Sequence, residues 1–147
     1  MRPLRSVSGM ACAAVATGLL LAPSAVAEEP LLSNLSVVSA TVDPKTGWAF
    51  VEVSVDCADA INDVEFFATV RQKKTVGNYD DFGDCVDGTA TTTIVFTDDA
   101  LLQGKRFGPG PATIDVSASG ICDEPPFFCT EEDLRLTGVK SRLTPGR

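Results

Sequence analysis

Four cysteines, Cys57, Cys85, Cys122 and Cys129, are the residues of this sequence whose type and spacing most plainly imply chemistry. A fifth, Cys12, lies inside an apolar leader. An even set beyond a leader reads as two disulfides in an oxidising compartment, not as reactive thiols or a metal site. Three pairings are possible. Cys57–Cys85 with Cys122–Cys129 is favoured, because sequence-near cysteines pair readily and each bridge would pin a loop lacking other support. The rival joins Cys57 to Cys122, both in phase with inward faces as an inter-sheet immunoglobulin bridge requires, and leaves Cys85 to Cys129. Either way each bridge contributes about 2–4 kcal/mol, a large share of a small domain's stability. The chain has no histidine, so Ser-His-Asp and Cys-His catalysis and histidine-ligated zinc are excluded.

Carboxylates form the second group. Asp80, Asp81, Asp84 and Asp87 crowd one stretch and could offer oxygens to Ca²⁺. Their spacing is not that of an EF-hand, and a solvated acidic loop is the plainer reading. The same holds for Asp123, Glu124, Glu131, Glu132 and Asp133, which a Cys122–Cys129 bridge would draw together. Paired carboxylates can cleave glycosides, but nearly every acidic protein offers such pairs. No catalytic residue, metal site or cofactor is therefore assigned.

Pro125, Pro126, Phe127 and Phe128 form the interaction candidate. Two prolines stiffen the backbone, a bridge would close the base, and two aromatic rings end the segment. Turned outward, they would anchor an interface at low entropic cost. The plainer expectation is that one or both rings fold back over the open end of the domain. Trp48 and Tyr79 could join a carbohydrate- or ligand-binding surface, although a lone Trp beside a strand start is more often core.

The elements that must position these residues follow a leader. Arg2 and Arg5 precede an apolar stretch from Met10 to Ala22, Pro23 breaks it, and Ala25-Val26-Ala27 offers a small-residue cleavage site. Residues 1–27 thus read as a secretory signal and residues 28–147 as a single secreted, extracellular domain. The apolar run is too short and too alanine-rich for a membrane span. All 20 acidic residues lie beyond Ala27 but only ten of the 12 basic ones, for a net charge of −10. Such acidity opposes nucleic acid or anionic lipid as partners and favours solubility.

Beyond the leader the texture is that of strands. Residues 34–43 read as a first strand, closed by the turn Asp43-Pro44-Lys45-Thr46-Gly47. Residues 48–57 alternate, with Ala49, Val51, Val53, Val55 and Cys57 on one face. Residues 63–72 place Val64, Phe66, Ala68 and Val70 inward, and residues 73–88 read as a long exposed loop. Further strands are expected over 89–97, 112–122 and 132–142, with a Gly/Pro-rich connection before the second of these. The fold class is all-β: an antiparallel immunoglobulin-like sandwich of about seven strands with two disulfides.

The order of segments resembles a known group: a leader, a strand ending Val55-Asp56-Cys57, a strand ending Val70-Arg71-Gln72, Gly83-Asp84-Cys85, then Phe107-Gly108-Pro109-Gly110-Pro111-Ala112. Over most of residues 36–142 it looks like small secreted immunoglobulin-like β-sandwich proteins of actinobacteria whose domain has no known function. More distantly it is similar to apoproteins of the neocarzinostatin type, which hold a chromophore in a cleft. The Cys57-to-Cys85 span is longer than the first bridge of those carriers. The resemblance implies an exported two-disulfide sandwich with no assigned activity. The expectation is a monomeric module that binds an extracellular protein or small ligand, with a small-molecule carrier as the first alternative and a secreted inhibitor or hydrolase as the second.

Overall fold

The structure is a computed structural model describing residues 28–130 and 133–146. The expected leader, Glu131 and Glu132 lie outside the described residues. The described residues form eight strands: β1 (Leu32–Val42), β2 (Ala49–Cys57), β3 (Asp63–Gln72), β4 (Thr75–Val86), β5 (Thr89–Phe96), β6 (Leu101–Gln103), β7 (Gly110–Ile121) and β8 (Leu134–Pro145). One short 3₁₀ turn, Asp98–Ala100, precedes β6. Among the described residues no helix is long and apolar enough to cross a membrane.

Alternation dictates which side of each strand is buried. Val51, Val53 and Val55 of β2, Val64, Phe66, Ala68 and Val70 of β3, and Ile114 and Ala118 of β7 are fully enclosed. Ile94 and Phe96 of β5 and Leu143 of β8 complete this core. Side chains of period two turn one face of each strand to a shared interior, and removing that apolar surface from water drives the assembly.

The hydrogen bonding departs from two separate antiparallel sheets. Strands run in the order β3-β7-β8-β1-β2-β5-β4, and β4 also pairs with β3, so seven strands close into a mixed barrel with β6 on its margin. Two features close it. β4 follows β3 from Gln72↔Thr75 to Asp63↔Asp84, then reaches β5 through Cys85↔Ala90 and Val86↔Thr89. On the opposite side β8 meets β1 in parallel at Thr41↔Thr144 and Val42↔Pro145. The physical reason for the departure is edge pairing: the joined ends satisfy backbone groups that two open sheets would leave exposed.

The long loop expected over 73–88 is therefore wrong for most of its length, since β4 occupies Thr75–Val86. Only two tight reversals remain, Lys73-Lys74 and Asp87-Gly88. Glycine, depleted in ordinary strands, is required here by close packing. A Cβ on Gly77 would lie 3.1 Å from the rings of both Phe96 and Phe107. One on Gly83 would lie 3.1 Å from the Phe66 ring and from the Thr91 carbonyl oxygen.

Both bridges join the favoured partners, Cys57–Cys85 with Cα atoms 6.4 Å apart and Cys122–Cys129 with Cα atoms 5.9 Å apart. These separations lie within the normal disulfide range. Cys57 ends β2, Cys85 lies near the end of β4, and the second bridge closes the connection from β7 to β8. Both staples therefore sit at one end of the barrel.

Candidate functional site

At that end the β7–β8 connection is tied down at its base and free at its tip. Cys122 N donates to Phe127 O at 2.8 Å and Cys129 N to Gly120 O at 3.1 Å, continuing the pairing of β7 past Ile121. Ile121 bridges to Phe128, and its carbonyl accepts from Asn62 N at 2.9 Å. Thr130 Oγ1 accepts from Gly120 N, while the Cys122 sulfur lies 3.0 Å from Ala60 O. Gly120 is needed for this closeness, because a Cβ there would stand 2.6 Å from Ile61 Cδ1.

Above this base Pro125, Pro126, Phe127 and Phe128 are all exposed, and the Pro125-Pro126 peptide is cis. Phe127 is 61% and Phe128 56% exposed, so neither ring folds back over the barrel end as the plainer expectation had it. Val86, beside Cys85, is also exposed. The result is an apolar tip on a covalently closed, proline-stiffened base.

Carboxylates rim it. Asp63 and Asp84 face each other across β3 and β4, and Asp123 of the loop is near enough to act on Asp63. Desolvation, a hydrogen bond with Asp84, and repulsion from Asp84 and Asp123 together push the Asp63 carboxyl above the usual carboxylate range. Asp59, Asp87 and Glu124 are exposed on segments at this same end.

The aspartate cluster expected in one loop is instead dispersed by β4. Asp80 and Asp84 pair with Phe67 and Asp63 on its outward face. Asp81 accepts from Thr92 Oγ1 and its own neighbour Phe82 N, and Asp87 occupies the turn. Of the second acidic group, Asp133 accepts from Ser119 Oγ and pairs loosely with Arg135 at 3.7 Å. Among the described residues no three His, Cys, Asp or Glu side chains are grouped to hold a metal ion. Trp48 is half-buried beside the first turn, and Tyr79 is exposed on β4.

Sequence reasoning passed over one surface. The outer face of β3, β7 and β8 is indented by a groove of about 480 Å³ lined by Glu65, Phe67, Asp115, Ser117 and Arg135, among others. Phe67, 43% exposed, stands among these polar side chains. The signal was present: Phe67 falls out of phase with Phe66 and Ala68, on the face that otherwise reads as polar. Asp115 stiffens the rim by accepting from Gly138 N at 2.6 Å and pairing with Arg71. The Gly138 N–H, followed by Arg71, holds the Asp115 carboxyl below its ordinary value.

Comparison of the chain with protein-family models, with curated proteins and with solved structures found no match.

Proposed function

We propose that this chain is a secreted, monomeric module that binds an extracellular partner through the Cys122–Cys129 loop and performs no catalysis. The observation that carries the reading is the exposure of Phe127 and Phe128 on a loop whose base is closed by a disulfide and by backbone hydrogen bonds. Aromatic anchors held in place before binding contribute contact area without the ordering cost of a mobile loop. The acidic rim of Asp63, Asp84, Asp123 and Glu124 selects a partner with an apolar pocket bordered by positive charge. The β1-β2-β5 and β4-β3-β7-β8 groupings support an immunoglobulin-like sandwich whose sheet edges have joined.

The test compares wild type with Phe127→Ser/Phe128→Ser as immobilised baits in culture medium from the native source. Matched melting temperatures establish that both remain folded. Loss of a partner by the double variant is the expected result, and identical sets of captured proteins would overturn the reading. A second reading, a small-molecule carrier, is favoured by the exposed Phe67 in its groove. A mass co-purifying with the native protein and displaced by Phe67→Ser would support it.

A further inference from the structure

The end of the barrel opposite the disulfides has the opposite charge. Lys45, Lys73, Lys74, Lys105 and Arg106 all lie there, on three separate connections. Among the described residues none of the five forms an ion pair. Three of them, Lys73, Lys74 and Arg106, line a cleft of about 520 Å³ between the β3–β4 turn and the segment leading into β7. Among the described residues no carboxylate lines it. Asp43, beside Lys45, and Asp98 and Asp99, on the 3₁₀ turn, are the acidic residues at this end, and none of them contributes to the cleft wall.

The cleft is built by buried groups. Gln72, only 8% exposed, ties its two walls together. Its Nε2 donates to Gly108 O at 2.7 Å and its Oε1 accepts from Gly108 N at 2.9 Å. Thr75 Oγ1 donates to Arg106 O at 3.0 Å, and Phe107 is anchored in the core edge-on to Phe96. Arg106 lies across Gly47, where a Cβ would meet its side-chain carbons at about 2.8–3.0 Å. Its guanidinium reaches towards Lys45 O.

Lys73 adds an independent observation. It opens a two-residue hairpin connection with φ of +53°, a conformation for which Gly, Asn or Asp is the ordinary choice. A lysine held there, beside a second lysine, accepts backbone strain and charge repulsion that the turn itself does not need.

We infer that this cleft is a binding site for the phosphate group of a small soluble ester. Lys73 and Lys74 supply charge-assisted hydrogen bonds from one wall, and Arg106 supplies one from the other by giving up its long 3.5 Å contact with Lys45 O. A small ligand fits better than an extended polyanion, because the rest of the acidic surface repels any anionic polymer or membrane that must lie along it.

The test is a ¹⁵N NMR titration of the disulfide-bonded protein with sodium pyrophosphate at constant ionic strength. Saturable shifts confined to residues 72–75 and 106–111 are expected. Lys74→Ala and Arg106→Ala should each weaken binding about tenfold, as loss of one charged hydrogen bond would. Lys73→Asn should weaken it too while the melting temperature holds or rises, which separates recognition from folding. Lys140→Ala, on the outer face of β8, should leave it unchanged. Shifts reproduced by sodium chloride at matched ionic strength would overturn the inference. So would binding to phosphatidylglycerol vesicles without a response to pyrophosphate.

Discussion

Asp115 and Asp63 are perturbed in opposite directions, and their causes fix what acid does to each. Asp115 is held below its ordinary value by the Gly138 N–H and Arg71. It stabilises the fold above its unfolded value, near 3.9 for a typical aspartate, and that contribution is lost as pH falls through the folded value. Asp63 is pushed up by desolvation and by Asp84 and Asp123. Its charge destabilises the fold above the folded value, and the penalty fades as pH falls towards the unfolded one. At neutral pH, therefore, Asp63→Asn should stabilise the protein. Asp115→Asn should destabilise it, by less than about 1 kcal/mol for so accessible a pair. Urea unfolding from about pH 7 down to about pH 3 should show both differences shrinking with acid. Differences that stay constant with pH would mean that packing, not ionisation, sets the effect.

At the scale of elements, β4 shows where sequence pattern and packing part company. β2, β3 and β7 are legible because valines, alanines and isoleucines recur every second residue and fill one core. β4 is not, because its inward positions include Gly77 and Gly83, whose missing side chains are replaced by aromatic rings from other strands. The barrel closure was illegible for a related reason: alternation fixes a strand's faces but not its neighbours, so it cannot announce a parallel β1–β8 contact of two residue pairs. At the candidate site the residues Pro125 to Phe128 were legible as a unit, whereas the direction of the rings was not. A test of the β4 argument is Gly83→Ala, whose methyl meets the Phe66 ring and the unyielding Thr91 carbonyl. It should cost about 1–3 kcal/mol by overpacking. Gly108→Ala, with open space at its Cβ position and no positive φ, should fall within about 0.5 kcal/mol of wild type in the same denaturation assay. Equal effects would refute the assignment of Gly83 to close packing.

For the whole molecule, the arrangement of charge matters more than its total. Carboxylates gather at the disulfide end, with Asp56, Asp59, Asp63, Asp84, Asp87, Asp123 and Glu124, while at the other Lys45, Lys73, Lys74, Lys105 and Arg106 outnumber Asp43, Asp98 and Asp99. The two groups lie at opposite ends of strands nine to twelve residues long. At about 3.3 Å per residue, that separation is roughly 30 Å or more. This exceeds the screening length of about 10 Å at 0.1 M salt, so attraction between the ends is weak. Repulsion within the acidic end acts over shorter distances, and the two ion pairs among the described residues offset little of it. Salt should therefore stabilise this protein. Raising sodium chloride from about 10 mM to about 200 mM should lift the melting temperature by about 3 °C, equivalent to somewhat under 1 kcal/mol for a domain of this size. Asp63→Asn/Asp84→Asn, which removes the cross-strand repulsion at the acidic end, should flatten that dependence. A melting temperature that falls with salt, or an unaltered slope in the double variant, would show that attraction governs the folded state instead.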